Sequence, residues 1–159
     1  MKHKNIFSIC IAAVLLTTSF FIFRHDLKID EPVMDENVSH IKYVKIAGKT
    51  LKTELALTPE SQSRGLSGRT LLKEDESMLF IFNQAGRYSF WMKDMNFPID
   101  IIWIGEDLRV VYIKGEATPE SFPETFVSKK DAKYVLEVES SFSLKNNLQE
   151  GDEIEFLSF

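Results

Sequence analysis

From residue 41 onward, apolar and polar positions alternate over short stretches, and the alternation predicts strands. Residues 41–45 and 51–57 flank Ala47-Gly48-Lys49, the pattern of a β-hairpin. On a period of two, Leu51, Thr53, Leu55 and Leu57 share one face, and Lys52, Glu54 and Ala56 share the other. The period then changes. Thr58 is placed as an N-cap, Pro59 as the first helical residue, Glu60 in the first turn, and Gly65 as a stop. That predicts about two turns of helix, too short to persist without something to lean on. Residues 78–82 (MLFIF) are continuously apolar, as expected of a strand buried on both faces. Residues 87–93 (RYSFWMK) alternate, placing Arg87, Trp91 and Lys93 on one face. Residues 99–104 and 109–113 form a further hairpin around Gly105-Glu106-Asp107. Residues 114–127, with Pro119 and Pro123, lack a period and predict a long ordered loop. Residues 134–138 and 153–157 are strands, with a short helical stretch at 141–148 between them. The expected fold is all-β with one or two short helices, a compact β-sandwich or small barrel.

The N-terminus follows another pattern. Residues 6–23 (IFSICIAAVLLTTSFFIF) contain no charged side chain. As a helix they would span roughly 27 Å, enough for a hydrocarbon core. A cleaved signal peptide is the competing reading, but Phe20-Phe21-Ile22-Phe23-Arg24 offers no small-x-small cleavage site. Residues 1–25 are therefore expected to be an uncleaved transmembrane anchor and residues 26–40 an acidic polar stalk. Residues 41–159 are expected to form the folded domain. Lys2 and Lys4 are balanced by Arg24 and Lys28 across the span. A single N-terminal span usually leaves the domain outside, so an extracytoplasmic placement is expected.

Composition narrows the chemistry. The chain has 159 residues with three His and one Cys. His3, His25, His40 and Cys10 all precede residue 41. The folded part therefore has no Ser-His-Asp or Cys-His nucleophilic site, no His- or Cys-ligated zinc, no disulfide and no iron–sulfur cluster. Neither a cofactor nor a metal is expected. The net charge is −5; residues 1–30 hold four Lys/Arg and two Asp/Glu, leaving 15 and 22 for the remainder. An acidic domain is a poor general nucleic-acid binder, and anionic lipid repels it.

Several blocks are more distinctive than the periodicity around them: Glu54-Leu55-Ala56, Arg64 and Arg69 five residues apart, Met78-Leu79-Phe80, Phe90-Trp91-Met92-Lys93, Pro98-Ile99-Asp100-Ile101-Ile102, Val135-Leu136-Glu137 and Gly151-Asp152. Together, over about residues 43–159, they resemble domain-of-unknown-function family 192. The resemblance implies a compact all-β domain, often secreted or membrane-anchored, and implies no reaction. Four positions depart from the family's usual pattern: Ser67 for Met, Ser77 for Gly in what reads as a turn, and Asp94-Met95 for Asn-Thr.

Within those blocks Arg64, Trp91, Lys93, Asp94 and Asp100 are the candidate ligand-binding residues. Asp100 shares a strand face with Ile102 and Ile104, so it either begins the strand in solvent or is buried and paired. Arg64 is a natural partner, as a structural strut or as half of a site. Trp91 beside Lys93 forms an aromatic platform next to a cation, or else packs beneath the 114–127 loop. A glycoside-hydrolysing carboxylate pair would draw on Asp94 and Asp100, or on Glu137 or Glu139. Asp94, Asn96 and Asp100 carry oxygens that suit calcium but lack the glycine and terminal glutamate of an EF-hand loop. Met78, Met92 and Met95 read as core. The leading expectation is a membrane-anchored, non-catalytic module that binds a small-molecule, glycan or protein ligand around Arg64, Trp91, Lys93 and Asp100, roofed by the 119–123 segment. The alternatives are a carboxylate-dependent hydrolase acting on envelope glycan and a purely structural envelope domain.

Overall fold

The computed structural model describes residues 38–158. The expected anchor, with Cys10, and all but the last residues of the expected stalk lie outside the described residues. Among the described residues, no helix is long and apolar enough to cross a membrane.

The chain runs through β1 (Tyr43–Ile46), β2 (Lys49–Ala56), α1 (Pro59–Arg64), β3 (Glu76–Gly86), β4 (Ser89–Trp91), β5 (Ile99–Ile104), β6 (Val110–Ala117), β7 (Thr125–Val127), β8 (Ala132–Glu139), α2 (Phe142–Lys145) and β9 (Ile154–Leu157). Seven strands form one sheet in the order β6-β5-β8-β3-β2-β1-β9, and β4 pairs with β7 in a separate ribbon. The large sheet is curled into a half-barrel, so the sandwich alternative gives way to the barrel-like one. Its two edges meet at one end. Arg109 and Glu153 form a bridge there, and the Val110 amide donates to the Asp152 carbonyl at 2.9 Å.

The β1–β2 and β5–β6 hairpins form as their turn residues predict. β2 and β3, however, pair in parallel, with Thr53 beside Ser77. A parallel pair needs a crossover, and α1 with the following turn supplies it. α1 begins at a reciprocal capping box. The Ser61 amide donates to Thr58 Oγ1 at 3.2 Å, and the Thr58 amide donates to Ser61 Oγ at 2.9 Å. The support this short helix requires comes from Gln62, whose Nε2 donates to the Ile81 and Ala56 carbonyls at 2.9 and 3.3 Å. Ser77 is in a buried strand and not in a turn; its hydroxyl lies 2.8 Å from that of Thr53, so the side chain has a use that glycine would lack.

Two apolar layers occupy opposite faces of the sheet. Val44, Ile46, Leu51, Leu79, Ile102, Ile104, Leu136 and Val138 fill the layer covered by Phe142 of α2. Met78, Phe80, Ile101, Trp103 and Val135 face the other way, toward Leu66, Met92 and Phe126. Each central strand is thus buried on both sides, which accounts for the unbroken apolar runs of β3 and β5. The stretch expected to be an aperiodic loop is more regular. It contains the end of β6, a 3₁₀ turn at Pro119–Ser121 and β7, whose Phe126 opposes Phe90.

Candidate functional site

The second layer is incomplete where α1 ends. β8 sets Val135 and Glu137 on this face, with Glu137 between Met78 of β3 and Ile101 of β5. Arg64 closes α1, Gly65 turns the chain, and Leu66 drops into the core. On the far side β4 brings Phe90 and Trp91, and Tyr88 stacks on Phe82 with ring centroids 3.5 Å apart. Between these walls lies a cavity of about 240 Å³. Phe80 and Phe90 meet edge to face at 4.8 Å along its side.

Gly65 brings the backbone close to the cavity. Its φ of +50° lies in the left-handed region, and a Cβ there would sit 3.3 Å from the Phe80 ring and 3.7 Å from Glu137 Oε2. Glu137 is only 5% exposed, and its Oε2 has no hydrogen-bond partner. Burial pushes its carboxyl up to about 8, against the opposing pull of the Arg69 charge. Arg69 offers little relief because its guanidinium is committed elsewhere. Nη1 and Nη2 each donate to Glu54 at 2.7 Å, a bidentate pair that holds the Glu54 carboxyl below its ordinary range. Arg64 is exposed at the mouth and has no acidic partner among the described residues.

The five residues singled out from sequence separate into three groups. Arg64 and Trp91 line the cavity, Trp91 being 47% exposed. Lys93 and Asp94 are exposed outside it and act through their backbone, accepting from the Ser67 hydroxyl and the Gly68 amide at 2.8 Å each. Asp94 sits at φ +56°, where an Asp or Asn is tolerated. Asp100 is on the opposite face of the sheet, fully buried, and does not meet Arg64. Its Oδ1 accepts from the Glu116 and Ser141 amides at 2.8 and 3.0 Å, and Oδ2 accepts from the Ser143 amide at 2.8 Å. The expected side-chain pair is therefore replaced by three backbone donors. A bulge in β6 and the start of α2 deliver them, with Glu116 and Ser141 both at positive φ. Asp100 ties those two segments together. The 119–123 segment contributes nothing to the cavity lining, and Trp91, opposite Thr125 of β7, keeps nearly half of its surface exposed.

Glu137 is the buried acid of this cavity, and the strand pattern alone left it among several acids. Its signal was a carboxylate in the middle of an apolar run, Tyr134-Val135-Leu136-Glu137-Val138, on a strand with no solvent face. Among the described lining residues it is the single carboxyl, and among the described residues no group of three or more His, Cys, Asp or Glu is arranged to hold a metal ion.

The family model for DUF192, described as "Uncharacterized ACR", matches residues 42–156. The chain belongs to the DUF192 family. Solved structures similar to this DUF192 domain include a protein of unknown function from Novosphingobium aromaticivorans. It is 31% identical with a TM-score of 0.69, over 72% of this chain and 84% of that one. Another is a putative transcription regulator from Sinorhizobium meliloti, 29% identical with a TM-score of 0.68, over 74% and 94% of the two chains. No curated protein matches the chain.

Proposed function

We propose that this DUF192 chain is a membrane-anchored, extracytoplasmic binding module whose ligand enters the cavity over Glu137 and is not chemically changed there. The observation that carries the reading is the unpartnered Oε2 of a buried carboxyl facing an aromatic-walled space. A buried polar group without a partner costs free energy that a purely structural domain has no reason to retain. A bound ligand supplies the missing partner. Arg64 and Trp91 at the mouth give it a cation and an aromatic face to meet first. Anchoring rests on the uncharged run at residues 6–23, and the outward placement on the usual topology of a single N-terminal span.

Hydrolysis is the weaker reading. An acid held neutral at pH 7 suits a proton donor, but a glycosidase needs a second carboxyl about 5–10 Å away. Glu137 is the lone acid among the described lining residues.

The test is amide NMR on the full chain in mild detergent, titrated with neutral and charged saccharides, short peptides and small anions. The expected result is that one class shifts residues 64–67 and 88–91 together. Turnover of any probe would refute the binding-only reading, and no shift in these segments with any class would refute the pocket.

A further inference from the structure

Resting on the binding reading above, we infer that the cavity admits a single uncharged ring bearing a hydroxyl or carbonyl oxygen, which exchanges a hydrogen bond with the Glu137 carboxyl. Size is the first constraint. A volume of about 240 Å³ falls below the roughly 300–1,000 Å³ typical of ligand pockets, so it takes one ring and not a chain. The walls are the second. Phe82 stacked on Tyr88, Phe80 against Phe90, and Trp91 at the mouth present ring faces and edges to a flat occupant.

Charge is the third constraint, and it works against both signs. A cation would approach past Arg64 and sit near Arg69. An anion would have to leave water for an aromatic-walled space in which the Arg69 guanidinium is already paired with Glu54. A neutral oxygen avoids both costs. Glu137, un-ionised at neutral pH, donates to it and accepts from a hydroxyl in return. The surroundings that set this state are few. Arg64 and Arg69 come from the α1 side, with Arg69 bound to Glu54 of β2, and Tyr88 precedes β4. β3 and β5 place Met78, Phe80 and Ile101 against Glu137, none of them charged.

Two sources share this chemistry, a pyranose sugar and an aromatic alcohol, and the experiment separates them. The full chain in mild detergent is titrated with methyl β-D-glucopyranoside and benzyl alcohol, and with the charged counterparts glucosamine and glucuronate, at pH 6 and pH 9.5. Gly65 and Trp91 amide shifts serve as the readout. One neutral probe is expected to bind at pH 6 and to weaken roughly tenfold or more by pH 9.5, as the fraction of protonated Glu137 falls. Glu137→Gln, which keeps both a donor and an acceptor, is expected to bind that probe with no pH dependence. A charged probe that binds as well as its neutral counterpart overturns the inference while leaving the pocket in place, as does wild-type affinity unchanged across the pH range. Silence from all four probes also overturns it, and the wider panel above then decides whether the pocket binds at all.

Discussion

Replacing Glu137 with Gln should make the protein more stable, by an amount that grows with pH. An ordinary glutamate titrates near 4.5, whereas burial holds Glu137 at about 8 in the folded protein. Between these values the folded state keeps a proton that the unfolded chain releases. Unfolding free energy therefore falls as pH rises, by about 1.4 kcal/mol per pH unit from this group alone. The loss begins above pH 4.5, reaches about 3 kcal/mol by neutral pH, and levels off above pH 8 at roughly 5 kcal/mol. Gln does not titrate, so the variant escapes this loss. Urea unfolding of both proteins at half-unit steps from pH 4.5 to 8.5 reads the difference directly. The gap between the two curves should widen by about 3 kcal/mol up to neutral pH. A gap that stays constant across the range would refute the assignment of a buried, neutral carboxyl. A widening gap would show an acid retained at a cost to stability, as expected of a group kept for a ligand.

Four further outcomes follow from the same geometry. Asp100→Ala should destabilise by on the order of 3–5 kcal/mol in urea unfolding, because three amides, one buried and two part-buried, lose their acceptor and a fully buried side chain is removed, whereas exposed Asp94→Asn should change stability by less than about 0.5 kcal/mol. Gly65→Ala should cost about 1–3 kcal/mol in the same assay, because a Cβ at positive φ also presses on Phe80. Glu54→Gln should cost no more than about 1 kcal/mol, since the pair with Arg69 is largely exposed. Its pH dependence should be opposite to that of Glu137: a depressed carboxyl contributes above its ordinary value and loses that contribution on acidification, so the variant should approach wild type below pH 4.5. Trp91→Ala should leave the thermal midpoint nearly unchanged, as the side chain is half-exposed, while reducing binding in the probe titrations.

The strand pattern was legible because strands with one or two apolar faces write a period into the chain. The α1 boundaries were legible because Thr58, Pro59 and Gly65 act locally. The parallel β2–β3 pairing was not, since nothing in either strand distinguishes a crossover neighbour from a hairpin neighbour. The β4–β7 ribbon was missed for a related reason. β4 falls within the alternating run at 87–93, but the three residues of β7 are too few to show a period, and the two strands lie more than thirty positions apart. Asp100 was correctly singled out as an anomaly on an apolar face, but its partners are backbone amides at a bulge and a helix start, which carry no side-chain signature. Arg64 and Trp91 do meet at one cavity. The residue at its floor, Glu137, sits in an equally anomalous apolar run. It was diluted among two dozen acidic residues because burial on both faces of β8 is a property of the whole sheet.

The central claim is that Glu137 is a neutral acid awaiting a ligand partner. Its most direct test is the carboxyl ¹³C titration of Glu137 in the full chain, with and without the probe that binds best. The account predicts a midpoint near 8 in the free protein, moving upward when the probe is bound, because the ligand stabilises the protonated form. A midpoint near the ordinary 4.5, or one that no ligand of the pocket displaces, would contradict it.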